Sequence, residues 1–507
     1  DQRPAPGAPR PAPAGGGDPA DRLVLEVRRL DVAVDPEAAF VRLHADAPRA
    51  FWLDGATAPA RFSYLGAADG PLADVVRHRV GEDPEGVLAV LRRRLARRRP
   101  DLSDATGVPP GGLPFGLLGG YVGWLGYEVA AELGFAVTHR APTPDALWMS
   151  AERYVVVDHD AGHTWAVALS TPGERPAARR WLARTCEVLA GLGAAPARRV
   201  PQRAREVEVD VEPWLRTDRA GYLAAVAACR EALLAGESYE VCLTARAVVP
   251  EAALPGGPPS GLEVYRRLRR ANPAPHAAYL RCDDVEVACS SPERFLAVDA
   301  GGSVTASPIK GTAPRGDTPA GDERLRVELA ASPKARAENL MIVDLLRNDL
   351  GRVCEVGSVA VPRLMATETY ATVHQLVSTI TGRLRAGTDA LDAVAASFPP
   401  GSMTGAPKER TVEIVDALEG AARGVYSGAL GWFSGTGAAD LAVVIRTLVR
   451  TGGTWTTGAG GAVVLDSDPA EEHAEMLLKA AAPLRALLAP APPAPALRTP
   501  PAAASRP

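Results

Sequence analysis

The pattern of apolar positions predicts a chain of strands and helices between two unpatterned ends. Runs such as "LVLEV" and "RYVVVDH" are typical of strands, and "GVLAVLRRRLARRR" has the apolar spacing of a helix. Residues 1–20 and 487–507 consist mostly of Pro, Ala and Gly with a few charges, so they cannot bury enough apolar surface to fold. We expect a disordered linker at 1–20 and a disordered tail at 487–507.

The patterned part divides into two predicted domains. An N-terminal domain at 21–200 mixes strands with Arg-rich helices, and a catalytic domain at 215–486 begins with the helical segment "RAGYLAAVAACREALLAGE". The stretch "GGYVGWLGYEVAAELG" is rich in glycine but lacks the GxGxxG spacing. It therefore indicates close packing of strands and turns rather than a nucleotide site.

Composition narrows the class of protein without identifying it. With 47% hydrophobic and 23% charged residues and a net charge of -4, the chain has an ordinary globular composition, and nothing favours nucleic acid or a membrane as partner. It contains no run of eighteen apolar residues and no signal peptide, so we expect a cytoplasmic protein. The six cysteines lack CxxC spacing, which argues against structural zinc.

Two predicted helices carry acidic residues that could have a function. Ser332 and Pro333 suit the start of the first helix, in which Glu338 lies on the apolar stripe. A buried carboxylate there needs a metal ion or one of the many arginines as partner. The second helix starts at Asp468 and Pro469, and its acidic face lies opposite the apolar one, so periodicity alone favours exposure to solvent. That face consists of Glu472, Glu475 and Lys479.

Three further segments could bind a small anion. In "FPPGSMTGAPKERTVEIVDALEG" a Gly-rich loop leads into a helix near Pro407, which suits either an anion site or an ordinary helix start. The run "DLAVVIRTLV" places Arg446 inside a predicted strand, and "TGAGGAVVLDSDP" predicts a glycine turn with free backbone donors. An Arg together with such donors would suit a dicarboxylate.

The lysine in "PIKGTAPRG" is unusual for this chain, which has only four lysines among its 56 basic residues. A guanidinium stays charged, whereas an amine can lose its proton and act as a nucleophile. Lys310 is therefore either an ordinary surface lysine or a catalytic one.

These segments together resemble the chorismate-utilising enzymes, the family of anthranilate synthase component I, aminodeoxychorismate synthase component I, isochorismate synthase and salicylate synthase. The resemblance is dense from about 221 to 479, and in the N-terminal part it rests on "FWLDG", "RFSYLG" and "GGYVGWLGYE". The motifs that carry it are "SPERFL", "PIKGTAPRG", "AENLMIVDLLRNDLGRV", "TVHQLVSTI", "GSMTGAPK", "GVYSGALGWFS", "VVIRTL" and "GAGGAVVLDSDPAEEHAEMLLKA".

The resemblance implies a fold and a reaction. The fold would be α+β, with two antiparallel sheets packed as a sandwich, surrounded by helices, and a cleft in the C-terminal domain. Members that make anthranilate typically carry PIAGT, whereas PIKGT and Asn339 resemble the branch that makes 4-amino-4-deoxychorismate, a precursor of 4-aminobenzoate. Anthranilate synthesis is the alternative that Lys310 disfavours. A folate enzyme and an antibiotic enzyme would share these residues, and a non-catalytic protein that holds tryptophan is a further alternative.

The resemblance also implies roles for individual residues. Lys310 would be the nucleophile, Glu293 the general acid/base, and His374 would lie near the departing hydroxyl. Glu338 and Glu475 would bind Mg²⁺ with Glu472 nearby, although the position three before Glu338, acidic in many relatives, is Ala335. The residues that would bind chorismate are Arg446, Tyr426, Gly460, Gly461, Ser402, Gly405 and Thr312.

The ammonia for such a reaction would come from another domain or protein. No cysteine lies in the GxCxG setting of a glutaminase nucleophile. We therefore expect this chain to use free ammonia when alone, and to receive ammonia from a glutamine amidotransferase subunit or an N-terminally fused glutaminase domain. The Pro/Ala/Gly leader without an initiator Met is typical of a linker in such a fusion, and trimming is the alternative.

Overall fold

The structure is a computed structural model that describes residues 22–194, 209–254, 256–370 and 373–489. The predicted linker at 1–20 lies outside these residues, as does the predicted tail from 490 onward. At the start of the predicted tail, residues 487 and 488 belong to the last helix, Pro469–Leu488.

The larger sheet has twelve strands, and its neighbouring strands run antiparallel except for one parallel pair, β1 and β5, at its edge. In spatial order, the strands are β18 (Gly405–Ala406), β10 (Glu240–Pro250), β22 (Thr454–Val463), β21 (Thr447–Thr451), β12 (Val285–Ser291), β11 (His276–Cys282), β2 (Arg49–Asp54), β3 (Phe62–Ala67), β8 (Arg153–Asp158), β9 (His163–Ser170), β1 (Leu23–Leu30) and β5 (Pro100–Thr106).

The second sheet is a path of nine antiparallel strands with a tenth, β16 (Ala360–Thr369), paired to β17. In spatial order, the path is β15 (Ile309–Pro314), β17 (Val373–Arg383), β14 (Ser303–Ser307), β13 (Arg294–Val298), β20 (Ala439–Val443), β19 (Ala429–Phe433), β6 (Tyr121–Leu125), β7 (Ala146–Ser150) and β4 (Val75–His78).

Strand β6 shows how the two sheets pack. Its five residues, YVGWL, are all buried, and alternate side chains point to opposite faces of a strand. Val122 and Trp124 belong to the core between the two sheets, whereas Tyr121 and Leu125 belong to the core beneath the helices of the second sheet. The predicted sandwich of two antiparallel sheets covered by helices is thus confirmed.

The α-helices cover the outer faces of both sheets. Helices α4, α5 and α10 pack on the larger sheet, and α7 and α8 pack on the second. The two helix starts predicted from the sequence are confirmed, since Ser332 and Asp468 accept hydrogen bonds from the first-turn N–H groups of α7 and α10. The α-helices are α1 (Pro36–His44), α2 (Gly86–Ala96), α3 (Arg175–Ala190), α4 (Arg219–Leu234), α5 (Gly261–Ala271), α6 (Pro319–Ala331), α7 (Pro333–Gly351), α8 (Ala390–Ser397), α9 (Lys408–Glu419) and α10 (Pro469–Leu488).

Both sheets contain strands from the N-terminal and C-terminal parts of the chain. Strand β2 pairs with β11 in the larger sheet, and β6 pairs with β19 in the second. The division into domains at 21–200 and 215–486 stays a prediction, and the two parts share continuous hydrogen-bonded sheets. Within the described ranges, no helix has the length and apolar character needed to cross a bilayer. The cytoplasmic location stays a prediction.

Candidate active site

Lys310 lies on β15, at the edge of the second sheet, and its amine faces the larger sheet. Its side chain is 10% exposed, and Nζ lies 2.5 Å from Oε1 of Glu240, a fully buried residue that begins β10. Burial lowers the pKa of Lys310, but the charges of Glu240 and Glu338 outweigh burial and raise it above its ordinary value. In the enzyme without substrate, the carboxylate partner therefore favours the charged form of this amine.

Glu293 lies where the chain crosses from the larger sheet to the second, between β12 and β13. Its carbonyl oxygen accepts a hydrogen bond from the N–H of Val443 at 3.0 Å. Burial raises the pKa of Glu293 to about 7, and the Ser402 hydroxyl and the ammonium groups of Lys310 and Lys479 lower it by less. A carboxyl group with this pKa can hold a proton near neutral pH and release it, as a general acid must.

Arg446 occupies a second crossover beside the first, where the chain passes from β20 of the second sheet to β21 of the larger one. The prediction that Arg446 lies inside a strand is wrong. Its φ of 53° is left-handed, a conformation that costs a non-glycine residue about 1–2 kcal/mol and that turns the chain between the sheets. Its carbonyl oxygen accepts a hydrogen bond from Ser290 N–H at 3.2 Å, so the two crossovers are tied together.

The guanidinium of Arg446 has no hydrogen-bond or ion-pair partner among the residues that the structure describes. Burial lowers its pKa, while the nearby Tyr426 hydroxyl and Glu475 carboxylate raise it by less. An arginine with a strained backbone and an unpaired side chain is a candidate for binding a ligand. A planar guanidinium pairs well with a carboxylate.

Tyr426 packs directly against strand β22. A Cβ atom on Gly458 would lie 2.2 Å from the Tyr426 ring, so only glycine leaves room for the ring. Gly460 and Gly461 lie within β22 opposite Thr244 and Leu243, so the prediction of a glycine turn is wrong. The backbone groups at Gly460 and Gly461 are therefore fixed by a strand and not by a turn.

The acidic residues of α7 and α10 gather around a lysine that the sequence analysis did not single out. Lys334 Nζ donates to Glu472 Oε1 at 3.1 Å, and Glu472, Glu338 and Glu475 together raise the pKa of Lys334 against the effect of burial. Glu472 is buried and also accepts a hydrogen bond from Ser467 at 2.6 Å. The apolar periodicity of α10 alone predicted that Glu472 is exposed to solvent, and this prediction is wrong.

Glu475 is the most exposed of these carboxylates, with 45% of its side chain accessible, and it pairs with Lys479 at 2.6 Å. Lys479 also donates to the carbonyl of Gly460 at 2.8 Å. Burial raises the pKa of Glu475, but the charges of Lys479, Lys334 and Lys310 outweigh it and lower this pKa. Three of the four lysines thus lie in one cluster with the predicted acidic residues.

The predicted Mg²⁺ ligands, Glu338 and Glu475, lie on α7 and α10. In the described part of the chain, no three His, Cys, Asp or Glu side chains are close enough together to hold a metal by themselves. Mg²⁺, however, commonly uses one or two carboxylates together with water and substrate oxygens. Glu338 is half-buried, burial raises its pKa, and its carboxylate contacts no described cation or hydrogen-bond donor. Glu338 and Glu475 therefore fit a hard cation as donors.

Three further predicted substrate-binding residues, Ser402, Gly405 and Thr312, differ in burial and in their neighbours. Ser402 places a buried hydroxyl beside Glu293, where it lowers the pKa of that carboxyl group. Gly405 has a φ of 144° and touches the backbone of Glu240, where a Cβ atom would lie 1.9 Å from the carbonyl oxygen. Thr312 is exposed on β15, opposite Gln375.

His374 is held by two side chains on one side of β17. Its Nε2 lies 2.9 Å from Asp322 Oδ1, and its Nδ1 lies 2.8 Å from Thr369 Oγ1. No hydrogen bond or ion pair joins it to Lys310 or Glu293 within the described ranges. Its predicted place beside the departing hydroxyl stays a prediction.

Sequence reasoning missed Glu240 and Lys334 as members of the cluster. It also missed the contact of Lys479 with Gly460 and that of Asp322 with His374. Glu240 had one signal, because it is an acidic residue at the start of the apolar run "EVCLT". For Lys334 and Lys479 the signal was the scarcity of lysine itself. Asp322 offered none, since it lies among the ordinary charged residues of α6.

A separate cavity of about 350 Å³ lies between the two sheets, and Lys310, Glu293 and Arg446 do not line it. Its walls include the Arg294–Asp440 ion pair and the ring of Trp432. We place the candidate active site at Lys310 instead, because the unpaired guanidinium, the buried amine and the acidic cluster all lie there. The alternative in which this protein holds tryptophan stays untested.

Comparison with known proteins agrees with the motifs. The chain is 47% identical over 482 residues to "Aminodeoxychorismate synthase" of Streptomyces pristinaespiralis. The aligned region covers 92% of this chain and 66% of that protein. It therefore spans just under two thirds of that relative's length. It is 37% identical over 480 residues to "Anthranilate synthase component 1" of Streptomyces coelicolor, covering 92% and 89% of the two chains.

A solved structure and a family model extend this result. The crystal structure of anthranilate synthase component I from Streptococcus pneumoniae matches with a TM-score of 0.66 and 29% identity, covering 83% of this chain and 92% of that one. Residues 48–485 match the family model described as chorismate binding enzyme. The chain belongs to the chorismate binding enzyme family.

Proposed function

We propose that this chain is the synthase that converts chorismate and ammonia to 4-amino-4-deoxychorismate, in the route to 4-aminobenzoate for folate or an antibiotic. The observation that carries the proposal is the buried amine of Lys310, held in a cluster of acidic residues where a nucleophile is needed. The higher identity to the Streptomyces pristinaespiralis protein than to the anthranilate synthase supports the same choice.

Arg446 and Tyr426 would bind the carboxylates of chorismate. Arg446 presents an unpaired guanidinium, and the Tyr426 ring is fixed against Gly458. The backbone of Gly460 and Gly461 would add donors along β22, with Ser402, Gly405 and Thr312 at the margin of the site. Such fixed donors orient a substrate at little entropic cost.

Glu338 and Glu475 would hold Mg²⁺, with Glu472 fixing the neighbouring Lys334. The ion, when bound, supplies a template and a positive charge for the ring carboxylate. The chain contributes two carboxylates on separate helices, so α7 and α10 together set where the ring carboxylate lies.

Lys310 and Glu293 would carry out the substitution. The amine of Lys310 bonds to C2 of chorismate, the two double bonds shift, and the C4 hydroxyl leaves as water with a proton from Glu293. Ammonia then bonds to C4, the double bonds shift back, and Lys310 departs from C2. Division of one difficult displacement into two easier ones is the advantage of covalent catalysis.

The chief rival is anthranilate synthesis, in which ammonia itself adds at C2 and pyruvate is later lost. In this chain the buried amine of Lys310, held by Glu240, would add at C2 in place of ammonia. The reaction products separate the two proposals directly.

Ammonia would reach this site from a glutamine amidotransferase partner or a fused glutaminase domain. The described cysteines are unsuited to hydrolyse glutamine, since burial raises the pKa of all six thiols above the ordinary value. For Cys229 and Cys282 it raises the pKa to about 12. We therefore expect the isolated chain to use ammonium salts and not glutamine.

The test is to incubate the chain with chorismate, Mg²⁺ and ammonium and to identify the product by chromatography and mass spectrometry. Lys310→Arg is the matched control for Lys310→Ala, because arginine keeps the positive charge beside Glu240 but does not become a neutral amine. We expect 4-amino-4-deoxychorismate from the wild type and loss of the Lys310 adduct in both variants. Anthranilate as the main wild-type product would refute the proposal.

A further inference from the structure

We propose that Glu240 is the base that removes a proton from the Lys310 ammonium when the amine attacks the substrate, and that returns this proton when the lysine is released. The inference rests on the proposed function, because it assigns the proton of the nucleophile in that reaction. It adds a catalytic residue that the sequence motifs did not indicate.

The contact between the two side chains is the first argument. Nζ of Lys310 and Oε1 of Glu240 lie 2.5 Å apart, while the Glu240 side chain is 0% exposed and that of Lys310 only 10%. Short hydrogen bonds between charged groups are the strong ones. Since solvent barely reaches this amine, the proton it must lose passes most directly to the carboxylate it already touches.

The second Glu240 oxygen gives an independent argument. Oε2 is buried and has no hydrogen-bond partner among the described residues. Burial of a carboxylate with only one hydrogen-bonded oxygen lowers the free energy of unfolding. The negative charge of Glu240 is balanced here by the single ammonium group of Lys310. When Lys310 becomes a neutral amine, proton transfer to Glu240 leaves both groups uncharged, which suits a site closed to water.

Other groups face the same amine but are less suited to accept its proton. Glu293 is needed in its protonated form, and burial raises the pKa of the Cys242 thiol. Glu338 makes no hydrogen bond to Lys310 and is a candidate ligand for the metal. The charged and titratable groups that face the pair are Cys242 of β10, Glu293 at the β12–β13 crossover, Lys334 and Glu338 of α7, and Glu475 and Lys479 of α10.

The backbone around Glu240 fixes its carboxylate. Its carbonyl oxygen accepts a hydrogen bond from the Ser238 hydroxyl at 2.8 Å, and Gly405 packs against it with no space for a side chain. Strand pairing with Ala406 and Val463 surrounds the same segment of β10. A base held this way stays within reach of the amine throughout the cycle.

The proton balance closes over one turnover. Lys310 gives one proton to Glu240, its lone pair forms the bond to C2, and Glu293 gives its proton to the departing hydroxyl as the C4–O bond breaks. Ammonia then forms the bond to C4, and the C2–N bond breaks to release Lys310 as a neutral amine. Glu240 returns its proton to Lys310, and the new C4 ammonium gives one proton to Glu293. The sum is chorismate plus ammonia to aminodeoxychorismate plus water.

The experiment measures the rate of adduct formation on Lys310, in the Mg²⁺-loaded enzyme with chorismate and no ammonia, by rapid quench and mass spectrometry. In Glu240→Gln the lysine must lose its proton to solvent first, so the rate of this variant divided by that of the wild type should rise about tenfold per pH unit up to the pKa of the amine. The loss of the Glu293 proton above about pH 7 slows both proteins and cancels in this ratio. We expect the wild type to exceed Glu240→Gln by about 100-fold or more at pH 6.5, with a much smaller ratio at pH 9 and less than a threefold change in KM.

Two variants separate catalysis from folding. Asp349→Asn removes the carboxylate of another buried pair, Lys408–Asp349 at 2.8 Å, and should lower thermal stability while leaving adduct formation unchanged. Glu240→Asp keeps a carboxylate and should restore the wild-type shape of the pH profile at a lower rate.

A wild-type to Glu240→Gln ratio that stays constant from pH 6.5 to 9, or that is below about threefold at pH 6.5, would overturn the inference. If the wild type makes aminodeoxychorismate through a Lys310 adduct in that case, the proposed function stands without it. A wild type that forms no adduct overturns both.

Discussion

Replacement of Arg446 by glycine should lower activity strongly and leave stability almost unchanged. The left-handed backbone at this position costs about 1–2 kcal/mol, which glycine relieves, while the loss of chain entropy for glycine costs about 0.5–1 kcal/mol. Since the guanidinium has no partner among the described residues, its removal leaves none of their buried polar groups without a hydrogen bond. The net change in the free energy of unfolding should therefore be within about 1 kcal/mol.

The expected loss of activity is much larger than this change in stability. If Arg446 holds a chorismate carboxylate through two hydrogen bonds, each to a charged group, its removal costs about 3–6 kcal/mol of transition-state binding. That corresponds to a fall in kcat/KM of about 10²–10⁴-fold. Steady-state assays with chorismate, Mg²⁺ and ammonium measure it, alongside thermal unfolding of the same samples.

Arg423 provides the matched control, because it is buried nearby and fully paired. Its guanidinium contacts Glu419 at 2.6 and 2.8 Å, Cys242 O at 2.9 Å and Met403 O at 2.5 Å. Arg423→Ala leaves these groups without their cation and should cost about 3–5 kcal/mol of stability. The reasoning is refuted if Arg446→Gly keeps kcat/KM within about threefold of the wild type, or destabilises the protein as much as Arg423→Ala.

Three further predictions follow from the same site. Because burial raises the pKa of Glu293 to about 7, the protonated acid is present below that pH and lost above it, so adduct formation should decline above about pH 7. Glu293→Gln should be slow at every pH. Gly458→Ala should push the Tyr426 ring aside and raise KM for chorismate by about tenfold or more, measured in initial-rate assays. A chelator should abolish activity, and calorimetry should show weaker Mg²⁺ binding by Glu475→Ala.

Each of these predictions has a control on the same chain. Glu293→Gln with the wild-type pH profile would remove Glu293 as the acid. Gly173→Ala, at a glycine with open space around it, should be neutral, and an equal effect of both alanines would point to general destabilisation. Glu471→Ala changes an exposed acid on α10 and should keep Mg²⁺ affinity, so equal losses in both variants would contradict a specific role for Glu475.

Local signals in the sequence predicted much of the secondary structure. The helix starts at Ser332 and Asp468 depend on caps and prolines within four residues, so they could be read directly. Strands such as β1 and β8 followed from short apolar runs. The sandwich itself came from the family resemblance, because the pairing of β2 with β11 depends on contacts across more than 200 residues.

The crossovers could not be predicted from periodicity. The five residues before Arg446, LAVVI, are all apolar and show no alternation, so they give no sign that the chain leaves one sheet at Val443 and enters the other at Thr447. The partner of Lys310 was missed for a similar reason, since Glu240 lies 70 positions away in sequence. The Glu240 carboxylate raises the pKa of Lys310, whereas burial alone would lower it.

The sharing of both sheets by the two parts of the chain has a consequence for synthesis on the ribosome. Strand β6 ends at Leu125, and its partner β19 begins at Ala429, about 300 residues later. At about 5–20 residues per second, the edge of β6 waits roughly 15–60 s for its partner. An unpaired, wholly apolar strand edge is a template for aggregation during that time. We therefore expect the soluble yield of this protein to depend on chaperones that cover this edge and on the speed of translation.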